Sequence, residues 1–173
     1  VLTTVICLLI CSIAGYGFEV YHDRWKDRLF SILLLAMMVP QVATMVPLFK
    51  MFSKAGLLNT AVGFILPIIS TPFMIMMFRQ NARAFPIDII EAARIDGLSE
   101  VRIFFQTMKS TYAAAAVITF MNAWNSYLWP KVIMTDNKAM TMPMLIANLI
   151  TGYVTDYGML MCGVLFCSIP TMI

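Results

Sequence analysis

Six ionisable side chains crowd one stretch of an otherwise apolar sequence. Asp88, Glu91, Arg94, Asp96, Glu100 and Arg102 all fall within FPIDIIEAARIDGLSEVRIFF, residues 85–105. Acids alternate with arginines there, so the chemistry on offer is ion pairing and charge-assisted hydrogen bonding. A proton-transfer site would need clustered carboxylates or histidines at one place. No G-x-x-x-x-G-K-[ST] loop occurs to cradle nucleotide phosphates. HExxH and nucleophile-elbow patterns are missing too, and the single histidine, His22, reads as a solvated residue at an interface. Cys7, Cys11, Cys162 and Cys167 sit inside apolar runs at spacings that match no zinc site, so they read as small core residues. The sixteen methionines read as adaptable apolar packing. Neither a catalytic residue, a bound cofactor nor a metal site is expected in this chain.

The charged stretch needs elements to hold it. Pro86 suits a first helical turn, and Asp88 then lies near the positive end of the helix dipole. Ile87, Ile90, Ala93 and Ile95 fall mostly on one side of a short amphipathic helix. Gly97 ends it, because glycine takes positive φ without strain. Ser99 then serves as N-cap of a second short helix, with Glu100 in its first turn and Val101, Phe104 and Phe105 as its apolar contacts. The expected object is an elbow of two short helices hinged at Gly97, lying on a membrane surface.

A membrane is implied by composition. The chain is 61% hydrophobic and 12% charged with a mean hydropathy of +0.84, which no soluble globular domain matches. Apolar runs at residues 1–18, 29–49, 60–78, 111–130 and 158–173 are expected to span, since about 20 residues cross a bilayer. The fold class is therefore all-α, a polytopic transmembrane bundle of one domain. The first and last runs start and stop abruptly, as in a fragment of a six-span protein. No signal-peptide pattern is read at the first run, since no basic n-region or small-residue cleavage site is visible there. A net charge of +3 without an aromatic-interleaved basic stripe argues against nucleic-acid binding.

Basic residues set the orientation. Arg24, Lys26, Arg28, Arg79, Arg83, Arg94, Arg102 and Lys109 fall on one side, against Lys50, Lys54, Lys131 and Lys138 on the other. The positive-inside rule puts the richer side, elbow included, in the cytoplasm. Pro40, Pro47, Pro67, Pro72 and Pro170 are read as kinks, tolerated where neighbouring helices satisfy freed carbonyls. In the fourth run, Asn122, Trp124, Asn125, Ser126 and Tyr127 are polar for lipid, as is Thr119. They read as interhelical hydrogen-bonding groups or as a translocation-path lining, and Trp124, Tyr127 and Trp129 equally as an interfacial aromatic belt.

Glu91-Ala92-Ala93, three residues and Gly97 resemble the EAA loop of the inner-membrane permease subunits of binding-protein-dependent ABC importers. The fuller EAARIDGLSEVRIFF, with WNSYLWP at 124–130, resembles the carbohydrate-importer (maltose-G-like) branch, and the likeness covers nearly the whole chain. The resemblance implies that Glu91, Ala92, Ala93, Asp96 and Gly97 couple the chain to separate ATPase subunits. Small Ala92 and Ala93 would allow close approach, and Glu91 would anchor. It also implies a second permease subunit, an extracytoplasmic solute-binding protein, and ATP with magnesium held by the partner ATPase. The location implied is a bacterial or archaeal cell (inner) membrane, and the cargo a sugar or related solute. One departure stands out: where the family carries Leu-Pro after the second arm, residues 105–110 read FQTMKS, and the junction is a few residues shorter.

Two other classes compete. A secondary carrier or channel would need no ATPase, but ion-coupled carriers often place a titratable residue within a span, and no Asp, Glu, Lys or Arg lies mid-span here. A membrane enzyme would need an acidic or histidine cluster at one face, and the elbow offers only alternating charge.

Overall fold

The computed structural model describes residues 1–21, 23–136, 140–150 and 156–172. His22, Lys138 and part of the 131–157 loop lie outside them. The described residues form α-helices and turns, with no strand among them. In chain order the helices are α1 Leu2–Val20, α2 Arg24–Ala36, α3 Gln41–Lys54, α4 Ala61–Ile65, α5 Pro72–Ala84, α6 Ile87–Ile95, α7 Glu100–Trp124, α8 Leu128–Ile133, α9 Met142–Ile150 and α10 Tyr157–Met172. They divide into two compact units, residues 1–40 with 67–120, and residues 41–66 with 121–173.

The first unit is built on α1 against α5. Cys7, Cys11 and Gly15 recur at four-residue spacing, so α1 presents a stripe of small side chains. A Cβ added at Gly15 would lie 2.6 Å from the Phe78 Cβ and 2.9 Å from the Ile75 carbonyl oxygen, which explains why only glycine allows this approach. Phe78, Met74, Ile75, Met108 and Ala115 complete the buried core with the two cysteines. Two polar contacts fix α7 to this pair. The Ser12 and Tyr112 hydroxyls are 2.7 Å apart, and Asn81 Nδ2 donates to the Thr107 carbonyl at 2.9 Å. Cys7 and Cys11 are free thiols in the core, as expected, whereas Cys162 is exposed and Cys167 half-buried.

The second unit packs around Trp129, which is 3% exposed. Its indole donates to the Gly63 carbonyl at 3.3 Å, and its ring meets Phe52 edge-on at 5.5 Å between centroids. Trp129 is therefore a core residue, which removes it from the interfacial belt suggested by the sequence. Burial with a satisfied N–H is the usual state of a core tryptophan.

Three expected runs are divided differently, that at 111–130 between the end of α7 and α8. Residues 29–49 are two helices, because the turn at 37–40 ends α2 before Pro40, whose ring disfavours a helical residue ahead of it. Residues 60–78 are α4, a turn holding Pro67, and α5, with Pro72 at its first turn. Pro47 and Pro170 lie inside α3 and α10. The second arm of the elbow is not a separate short helix: α7 runs unbroken for 25 residues from Glu100 into the fourth run. FQTMKS lies in its interior, and the absence of a proline there is what leaves the backbone ladder intact. Among the described residues only α1 is by itself long and apolar enough to cross a membrane.

Candidate functional site: a glycine-capped helical elbow

Helix α6 begins after Pro86 and carries Asp88 in its first turn. Its end has the hydrogen-bond pattern of a Schellman cap. The Leu98 N–H donates to the Ala93 carbonyl and the Gly97 N–H to the Arg94 carbonyl, both at 3.0 Å. Gly97 has φ +77°, as the sequence predicts, and nothing lies within 4 Å of where its Cβ would be. The chain then re-enters helix at Ser99, whose carbonyl accepts from the Arg102 N–H at 2.9 Å.

One ion pair spans the turn. Arg94 Nε and Nη2 reach the two Glu100 carboxylate oxygens at 2.6 and 3.3 Å, a bidentate geometry. The hydrogen bond that Arg94 donates to Glu100 raises the Arg94 guanidinium above its ordinary pKa. Charge thus clamps α6 to the start of α7 around Gly97.

Within α6 one side chain is fully buried and most of the others face outward. Ile90 is buried (1% exposed) while Ile95 is 87% exposed and Ile87 is exposed as well. The sequence placed Ile87, Ile90, Ala93 and Ile95 mostly on one side of an amphipathic helix, but only Ile90 and the half-buried Ala93 turn inward. A nine-residue helix offers too few turns for periodicity to fix its rotation about its axis. Glu91, Ala92, Asp96 and Gly97 are exposed. An apolar groove of about 290 Å³ runs between α6 and α7, lined by Phe85, Ile89, Ile90, Ala93, Leu98 and Ile103 among others. The elbow therefore offers an exposed face that carries Glu91, Ala92 and Asp96 beside a glycine cap.

The second set of candidates divides. In the second unit, Trp124 Nε1 donates to the Cys167 carbonyl at 2.9 Å, fastening the end of α7 to α10. Tyr127 accepts from Lys131 Nζ at 2.5 Å, under a cation–π contact at 5.0 Å. Asn125 is exposed and lines a 280 Å³ pocket with Pro143, Ile146, Val164, Cys167, Ser168 and Thr171. Asn122 is exposed and Ser126 half-buried, while Thr119 is buried with a hydroxyl that has no hydrogen-bond partner. Of these residues, Asn125 is the one that lines that pocket.

Sequence reasoning missed a charge network in the first unit. Arg79 Nε donates to Glu19 at 2.9 Å and Nη2 to Asp27 at 2.8 Å, with the guanidinium 4.1 Å from the centre of the Phe30 ring. Only 14% of the Arg79 side chain is exposed. The partners are 60 and 52 residues away in sequence, so no local pattern could have paired them.

Known proteins resemble this chain along its length. The binding-protein-dependent transport system inner membrane component family matches residues 8–173. The lactose transport system permease protein of Rhizobium radiobacter is 42% identical over 98% of this chain and 64% of its own length. The arabinooligosaccharides transport system permease protein of Bacillus subtilis is 35% identical over 99% of this chain and 62% of its own. The chain thus spans somewhat under two thirds of these relatives. Among solved structures, a chain of a bacterial ABC transporter involved in the import of the acidic polysaccharide alginate superposes with a TM-score of 0.81. That match is 19% identical and covers 97% of this chain and 66% of the other, a likeness of fold.

Proposed function

We propose, from the premise that the chain belongs to the binding-protein-dependent transport system inner membrane component family, that it works as a permease subunit of an ATP-driven importer for a sugar or related solute. The relatives' names support the sugar class, since they are lactose and arabinooligosaccharide permeases. The observation that carries the coupling role is the elbow: an exposed Glu91-Ala92 face on a helix capped by Gly97 and clamped by Arg94–Glu100. In this reading Glu91, Ala92, Ala93, Asp96 and Gly97 dock on a separate ATPase subunit, which holds ATP and magnesium. Closure of the ATPase pair then moves α6, and the continuous helix α7 carries that movement onward. A second permease subunit and an extracytoplasmic solute-binding protein complete the assembly.

The cytoplasmic placement of the elbow rests on the charge asymmetry. Residues that the asymmetry groups on one side also meet one another in the structure. Glu19, Asp27 and Arg79 join in the first unit, and Asn59 pairs with Thr135 in the second. Of the polar residues near the end of α7, Asn125 is the one whose exposure in a pocket fits a solute path, whereas Trp124 serves as helix-to-helix fastening.

Glu91→Lys tests the coupling. The variant should reach the membrane in normal amount and lose ATPase co-purification, because a positive charge replaces the proposed acceptor. Lys54→Glu is the control and should bind the ATPase as before. Undiminished ATPase association and uptake in Glu91→Lys would overturn the docking role. For the path, Asn125→Leu should alter solute selectivity at unchanged complex yield, and Trp124→Phe should instead lower the yield.

A further inference from the structure

The Arg79 network has a consequence for the corner beside it. Residues 19–28 carry Glu19, Asp23 and Asp27 against Arg24, Lys26 and Arg28, a formally balanced set. The fold unbalances it. Arg79, from α5, takes up Glu19 and Asp27, and the Asp23 carboxylate caps α2 by accepting from the Trp25 N–H at 3.4 Å. No ion pair among the described residues involves Arg24, Lys26 or Arg28.

Two of those cations, Lys26 and Arg28, are arrayed with aromatics. Lys26 Nζ lies 5.2 Å from the centre of the Tyr21 ring and gives one of its three N–H donors to the Tyr21 carbonyl at 2.9 Å. The Arg28 guanidinium lies 5.4 Å from the Trp25 ring, and Trp25 is exposed. Directly beyond them, Leu29, Ile32 and Leu35 are exposed on α2 at helical spacing. Cation and aromatic side chains at one end, with an apolar stripe leading away, match a phospholipid in both its parts.

We propose that this corner is a binding site for an anionic phospholipid, its headgroup phosphate held by Arg24, Lys26 and Arg28 and its acyl chains along Leu29, Ile32 and Leu35. Charge complementarity selects an anionic lipid over a zwitterionic one, and the apolar stripe selects lipid over free phosphate. Arg79 is a positioning residue: it touches no lipid, yet it keeps two carboxylates from cancelling the site. The site rests on the membrane reading of the chain but not on ATPase coupling.

The test is native mass spectrometry of the full permease complex, released from nanodiscs of phosphatidylethanolamine with and without phosphatidylglycerol. Wild type should retain phosphatidylglycerol, and inorganic phosphate should not displace it. Arg24→Gln and Arg28→Gln, both at exposed positions, should each weaken retention about fivefold. Arg79→Gln should weaken it as well, although it removes a charge that the lipid does not meet. Adding Glu19→Gln and Asp27→Asn to Arg79→Gln should restore it. Equal retention of both lipids, displacement by phosphate, or indifference to Arg24→Gln and Arg28→Gln overturns the proposal, and the last holds even if the Arg79 variants fail to assemble. ATPase stimulation, measured on the same samples, separates this result from failure of the coupling role.

Discussion

Two turns of this molecule share one backbone design and differ in everything around it. After α6, Gly97 has φ +77°; after α3, Gly56 has φ +67°. Both close Schellman caps: Leu57 donates to the Phe52 carbonyl at 2.9 Å and Gly56 to Ser53 at 3.2 Å, repeating the Leu98–Ala93 and Gly97–Arg94 pairs. Neither glycine has an atom within 4 Å of its would-be Cβ. Past Gly56 the chain is fastened. Asn59 sits at φ 58° and its Oδ1 accepts from the backbone N–H groups of Thr135 and Asp136, at 2.7 and 3.0 Å. Past Gly97 the turn is held by one exposed ion pair and its outer face stays open. A positive-φ glycine therefore says where a helix stops; the surrounding contacts decide whether the turn is structural or available to a partner.

Gly97→Val and Gly56→Val break the comparison most directly, and the largest effect is expected from the first. Each replacement strains the backbone by roughly 1–3 kcal/mol with no steric clash to add. Thermal unfolding should show similar losses for both. Solute-stimulated ATPase activity should collapse only in Gly97→Val, because only that turn aims the proposed docking face. Equal activity loss in both variants would mean that the effect is merely one of stability.

Asn59→Ala sharpens the other side. It removes the acceptor of two backbone hydrogen bonds and should cost about 1–3 kcal/mol of stability, read as a lower midpoint in denaturation. ATPase association should be unchanged. Asn59→Gly, which keeps the positive φ available, should lose less than a β-branched substitution at the same place.

The smallest effect is expected from Arg94→Gln. The Arg94–Glu100 pair is exposed, and such pairs contribute little in water and less in salt. Coupling should fall slightly at low ionic strength, with the difference from wild type vanishing as salt is raised. A large, salt-independent loss would mean that Arg94 itself contacts the ATPase.

Much of the elbow was legible in the sequence because its determinants are local. Pro86, Gly97 and Ser99 act within one helical turn of themselves, so the bounds of α6, the positive φ and the restart at Ser99 follow from residue type and order. The EAA spacing and the apolar composition, also properties of the string alone, carried the all-α class and the family. Tertiary structure decided the rest. That α7 runs unbroken from the elbow, that Ile90 alone is driven inward while Ile87 and Ile95 face out, and that Trp129 is core depends on which surfaces meet. Arg79 makes the point most fully: its identity was plain, but its partners lie 60 and 52 residues away. The close approach of α1 and α5 at Gly15, which only packing can specify, brings Arg79 to Glu19, and the same packing leaves the neighbouring cations without carboxylate partners.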